Sequence, residues 1–101
     1  MQFGERIKRL RESKDILQRQ LAASLEIDTP MFSKIERGER RAKREQVLLL
    51  AKLLDTNEEE LLTLWLADRI YELVKNEDVA SKALRVADEH CQYGKTQKRK
   101  S

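Results

Sequence analysis

Apolar residues recur along this chain at intervals of three and four, and no segment alternates in the way a strand would. Phe3, Ile7 and Leu10 form the first such stripe and predict an amphipathic helix from about Gln2 to Lys14. Asp15 follows, a residue type that tolerates a left-handed backbone and so suits a helix end. Leu21, Ala22 and Leu25 predict a second, short helix over about 17–25. Phe32 and Ile35 predict a third, opened by Asp28 or Thr29 as cap, with Pro30 in its first turn and Gly38 closing it. Ile27 lies where it can seal the corner between the second and third helices. Ala22 supplies the small side chain that two steeply crossing helices need where their backbones approach. The third helix is left with an outward face of Thr29, Pro30, Ser33, Lys34 and Arg37.

Farther along, Val47, Leu48, Leu50, Ala51 and Leu54 predict a fourth helix over about 44–54. Thr56-Asn57-Glu58-Glu59 reads as a capping box with Thr56 as the cap, and the acidic turn suits the positive end of the helix that follows. This fifth helix runs to about Lys75. A sixth, opened by Asn76 or Asp78, carries Val79, Ala83, Leu84, Val86, Ala87 and Cys91 as its apolar positions. On the fifth helix, Leu62, Leu66, Ile70 and Val74 make one stripe, and Leu61, Trp65 and Leu73 a neighbouring one. That is more apolar width than one partner helix covers. Trp65 is either core, folding the sixth helix onto the fifth, or the centre of a dimer contact. The dimer surface so predicted is Leu62, Trp65, Leu66, Ile70, Tyr71 and Val74. Gly94 to Ser101 holds no apolar residue and is expected to be a disordered basic tail.

Size and charge narrow the picture. A chain of 101 residues has a thin core, which pairing with a second copy would thicken. Apolar residues make up 40% and charged residues 39%, so the outer faces are heavily solvated. The net charge of +3 is unevenly spread: residues 1–44 hold 12 Lys and Arg against 7 Asp and Glu, and residues 45–75 hold 3 against 7. Basic charge thus accompanies the two short helices, as expected of a face that meets polyanion. The opening MQFGERIKRL lacks the apolar core of a signal peptide, and no stretch approaches a membrane span; a cytoplasmic protein is expected. Cys91 is the only cysteine, which excludes an internal disulfide or a cysteine-based zinc site. His90 and Cys91 point in different directions on a helix and make a poor metal pair. With one His, one Cys and no Gly-rich phosphate loop, no enzyme, metal site, cofactor or small-molecule ligand is expected.

The two short helices and their corner read as a helix-turn-helix, whose second helix can lie in a DNA major groove. Residues 3–62 resemble the phage-repressor and Cro type of helix-turn-helix domain, the XRE family. The resemblance rests on Arg11, Gln18, Leu21-Ala22, Leu25, Ile27, Ser33 and Ile35-Glu36-Arg37-Gly38, with the apolar pattern through Leu53 and Leu61. It implies an all-α fold: a five-helix domain over 1–62, an extended fifth helix, and an additional C-terminal helix forming a dimerisation extension over 63–93, with the tail at 94–101. The extension is similar to those of restriction–modification controller proteins.

The resemblance also implies roles. Gln18, with Arg19 beside it, would bind phosphate, and Gln18 would brace the third helix. Thr29, Pro30, Ser33 and Lys34 would face base edges, Lys34 by donating to guanine, and Met31 beside them would also belong to the DNA-binding set. Arg37, Arg40, Arg41, Lys43 and Arg44 would line the backbone, Arg44 near the minor groove. Arg11 and Glu36 would form an ion pair joining the first helix to the third. Two positions depart from the family pattern. Glu26 stands where Gly is usual, because the corner needs a positive φ. Pro30 replaces a polar side chain that often reads bases. The function implied is a homodimeric, sequence-specific binder of double-stranded DNA that represses transcription. The alternative is an antitoxin-type module whose C-terminal helices bind a partner protein.

Overall fold

A computed structural model describes residues 1–94 with their side chains and carries helical backbone on to Lys100. The described residues form six helices: α1 (Gln2–Ser13), α2 (Gln18–Ser24), α3 (Thr29–Glu36), α4 (Arg44–Leu53), α5 (Glu58–Val74) and α6 (Ala80–Lys100). Among the described residues there is no strand, so the expected all-α architecture holds. The side chains of residues 95–100, and Ser101, lie outside the described residues, and with them the expectation of a disordered tail.

The first four helices end in the same way. In each, the residue after the cap takes a left-handed backbone: Asp15 at φ 56°, Glu26 at 59°, Gly38 at 77° and Asp55 at 50°. The amide of the following residue then reaches back five positions. Ile16 donates to Arg11 O, Ile27 to Ala22 O, Glu39 to Lys34 O and Thr56 to Ala51 O, at 2.8–3.0 Å. This is the Schellman arrangement, which satisfies carbonyls that a helix end leaves open. Its two apolar followers, Ile16 and Ile27, pack against the core. Thus Ile27 does seal the corner, and Glu26 does carry the positive φ expected at its position. Only one of the four sites has the glycine that makes this conformation cheap.

The motif also corrects the expected start of α5. The amide of Thr56 is spent on closing α4, and the cap of α5 is Asn57, whose Oδ1 accepts from Glu60 N at 3.0 Å. Asn caps as well as Thr, and it stands directly before the helix. Likewise α6 begins at Ala80 rather than at Asn76 or Asp78, after a turn in which Ala80 N donates to Glu77 O at 3.2 Å.

The chain divides into two compact units, Met1–Ile70 and Tyr71–Ser101. The first has a continuous core built from every one of α1–α5. Ile7, Phe32, Val47, Leu50, Leu54 and Leu61 are its largest fully enclosed side chains. Ala22 is 1% exposed, as a close crossing of α2 and α3 demands. Gly4, on α1, is buried where a β-carbon would fall on the Glu36 and Ile35 carbonyl oxygens, so α1 crosses the end of α3 backbone to backbone. In the second unit no described residue is buried, and Tyr71, Leu73, Val79, Leu84 and Val86 are exposed apolar side chains.

We expect Glu26→Gly to stabilise the protein by about 0.5–1 kcal/mol, because relief of the left-handed strain outweighs glycine's greater unfolded-state entropy. Urea unfolding of Glu26→Gly beside Glu26→Ala checks this. A gain in the alanine variant, or none in the glycine variant, contradicts the account of the corner.

Candidate nucleic-acid interface

The orientation of α3 is set by one buried acid. Glu36, 5% exposed at the end of α3, receives Arg11 Nε on Oε2 at 2.7 Å and Arg11 Nη2 on Oε1 at 3.2 Å. Gln18 Nε2 donates to the same Oε1 at 2.8 Å, and Arg11 Nη1 donates to Ile16 O at 2.9 Å. One carboxylate therefore ties α1, α2 and α3 together. The bond to Glu36 holds the Arg11 guanidinium above its ordinary pKa, against the opposing effect of burial. The pair expected from the resemblance is present, and Gln18 does brace the third helix.

Held this way, α3 turns Phe32 and Ile35 inward and presents the opposite face to solvent. Asp28 caps the helix, its Oδ1 accepting from Met31 N at 2.8 Å, and Pro30 sits in the first turn where no amide is needed. Thr29, Pro30, Lys34 and Arg37 are exposed; Met31 and Ser33 are half-buried. Arg37 is partly occupied within the chain. It bonds Glu39 Oε2 at 2.7 Å and Ser33 Oγ at 2.6 Å, and it holds the Glu39 carboxyl below the usual carboxylate range. Both partners are more than half exposed, so a competing anion displaces Glu39 at little cost. Gln18 is half-buried and Arg19 exposed.

Between α3 and α4 runs a basic loop. Arg40, Arg41, Lys43 and Arg44 are all exposed, and Ala42 alone turns in, at 3% exposure. None of these four cations has a carboxylate within salt-bridge distance among the described residues, in contrast to Arg6, Arg11 and Arg37. The loop rests on Trp65 of α5. The indole Nε1 donates to Ala42 O at 2.8 Å, and the Arg41 guanidinium carbon stands 3.9 Å from the ring centroid. Arg41 Nη1 donates to Trp65 O at 3.0 Å, and Arg44 lies 5.2 Å from the same ring. Of the two roles open to Trp65 in the sequence, the structure shows an intramolecular one, although its partner is the loop before α4.

A second residue of α5 has a role that the sequence pattern does not announce. Asp68 accepts from Gln2 N on Oδ1 and from Phe3 N on Oδ2, both at 3.0 Å, and so caps α1 from the far end of the domain. Arg6 adds an exposed pair with Glu60 at 2.8 Å. No local signal marks a cap supplied from so far along the chain. Among the described residues, no group of His, Cys, Asp and Glu side chains could hold a metal ion, and no helix is long and apolar enough to cross a membrane.

Residues 2–64 match a family model described as a helix-turn-helix domain. No curated protein and no solved structure matches the chain.

We expect Arg11→Met to cost about 3–5 kcal/mol, because it leaves Glu36 charged and buried without its ion-pair partner. Arg11→Met combined with Glu36→Leu should recover most of the loss. Chemical unfolding of the single and double variants checks both, and a double variant no better than the single one contradicts the pairwise account.

Proposed function

The chain belongs to the helix-turn-helix domain family, and from that premise we propose that it is a sequence-specific binder of double-stranded DNA, of the phage-repressor and Cro type. In this reading it acts in the cytoplasm as a homodimeric regulator that represses transcription, its own promoter included. The observation that carries the proposal is the exposed face of α3, held rigid from behind by the Arg11–Glu36–Gln18 knot. A reading helix must keep its side chains in register with base edges, and a fixed helix does so without ordering itself on contact.

Lys34 is the base-reading side chain of the proposal: it is exposed, unpaired among the described residues, and able to donate to guanine O6 and N7. Thr29, Pro30 and Met31 offer mainly apolar contact, as to a thymine methyl, and Ser33 a hydroxyl. Arg19, Arg37, Arg40, Arg41, Lys43 and Arg44 are assigned to phosphates, with Gln18 lending whatever donor capacity Glu36 leaves it. Arg44 favours a narrow, A·T-rich minor groove. For the dimer, the supporting observation is the exposure of large apolar side chains, Leu66 at 44% and Ile70 at 46% in the first unit and Tyr71 at 58% in the second. Leu62 and Val74, both half-buried, extend that surface along α5.

Selection of bound sequences from random duplexes tests the proposal, and no enrichment of any sequence would sink it. On the selected site we expect Lys34→Ala to lose about 1–3 kcal/mol and to relax one base position per half-site. Lys43→Ala and Arg40→Ala should instead weaken all sequences alike and flatten the salt dependence.

The assembly is tested separately. Sedimentation at micromolar concentration should give a dimer, and Ile70→Glu should make it monomeric. The selected site should be an inverted repeat with half-sites about one helical turn, roughly 34 Å, apart. A direct repeat, or one chain on an asymmetric site, contradicts that geometry.

A further inference from the structure

We propose that Trp65 is a positioning residue for the nucleic-acid backbone: it holds Arg41 and Arg44 where a phosphate strand would meet them. The inference rests on the DNA-binding reading given above and adds to it a residue that faces no base and no phosphate.

Three contacts converge on this side chain. Its Nε1–H fixes the loop at the Ala42 carbonyl, the position between Arg41 and Lys43. Its ring lies 3.9 Å beneath the Arg41 guanidinium carbon, and its own carbonyl accepts from Arg41 Nη1. Arg44, in the first turn of α4, is within cation–π range of the same ring at 5.2 Å. Arg41 is thus gripped by face and by edge, with one of its N–H groups spent on the protein. The rest of the planar fork remains free for an oxygen ligand.

The arrangement is expensive for the protein alone. Arg40, Arg41, Lys43 and Arg44 crowd five positions, and none has a carboxylate within salt-bridge distance among the described residues. Partial desolvation, and then the nearby Arg69, push the Arg41 pKa down; Asp68 opposes them only in part. A fold that merely needed a loop here would gain by pairing or dispersing these charges. Two guanidiniums gathered on one aromatic platform with no carboxylate in salt-bridge distance suit a polyanion, and a guanidinium stacked beforehand loses little freedom when it binds.

The test is a thermodynamic cycle on a mixed-sequence duplex, with affinity measured at several salt concentrations well below the melting temperature of each variant. Phosphate contacts do not depend on sequence, so no operator is needed. In the wild-type background, Trp65→Ala should weaken binding by at least about threefold. The salt slope should also become shallower, by about 0.9 for each phosphate that the variant no longer neutralises. In an Arg41→Ala, Arg44→Ala background the same substitution should change neither. Trp65→Phe, which keeps a ring under Arg41, should restore most of the slope. If Trp65→Ala loses its helical circular dichroism, Trp65→Leu keeps the apolar volume and runs the same cycle. Equal losses in both backgrounds, or a loss of affinity with an unchanged slope, overturn the inference while the DNA-binding reading stands. A wild-type chain that binds no duplex overturns both.

Discussion

The domain turns on the charge of Glu36. A carboxylate at 5% exposure is tolerable only with partners, and it finds a guanidinium from α1 and an amide from α2. Such a buried pair adds little net stability over a well-packed apolar pair of the same volume. What it adds is direction. Apolar contacts around Phe32 and Ile35 would allow α3 to rotate or slip by a fraction of a turn. Two donors on one carboxylate oxygen and a third bond on the other allow no such freedom. Gly4 reinforces this from the other side, because it lets α1 close on the carbonyls of Ile35 and Glu36 with no side chain between.

The same preference for fixed geometry over lowest energy recurs at the helix ends. Three non-glycine residues sit in the left-handed region, and each lets a helix stop within one residue and reverse. The short connections that result bring α1, α2 and α3 close enough for one acid to bridge them. At the α3–α4 loop the compromise is electrostatic, since Arg41 and Arg44 stand over an aromatic ring rather than against carboxylates.

Much of this was legible in the sequence wherever the cause is local. The three- and four-residue spacing of Phe3, Ile7, Leu21, Leu25, Phe32 and Ile35 specifies which faces go inward, and all six are buried. Asp15 and Gly38 announced two helix ends. The Arg11–Glu36 pair followed from resemblance, not from spacing. Thr56 misled because it satisfies the local cap pattern while a competing local motif, the end of α4, claims its amide. The platform under Arg41 and the cap on α1 lay beyond reach for a different reason. Trp65 meets Ala42 across 23 positions, and Asp68 meets Phe3 across 65. Periodicity carries no signal at such separations, and an Asp on a helix looks like any other solvated charge. In the second unit the apolar stripe was legible too, but nothing in the described residues covers it.

The Asp68 cap has a bearing on the order in which the domain can be completed. The amides of Gln2 and Phe3 are made well ahead of the carboxylate that receives them, which follows 66 and 65 positions later. Until α5 has emerged, those two amides lack this acceptor, and the opening turn of α1 is free to fray. The helix-turn-helix itself is finished by Glu36 and can pack against a provisional α1 well before that. Closure of the long loop to Asp68 is therefore a late event in synthesis, and it comes with Leu61 entering the core from the same helix. A nascent chain halted before α5 would carry its helix-turn-helix on a scaffold whose first helix is still unpinned.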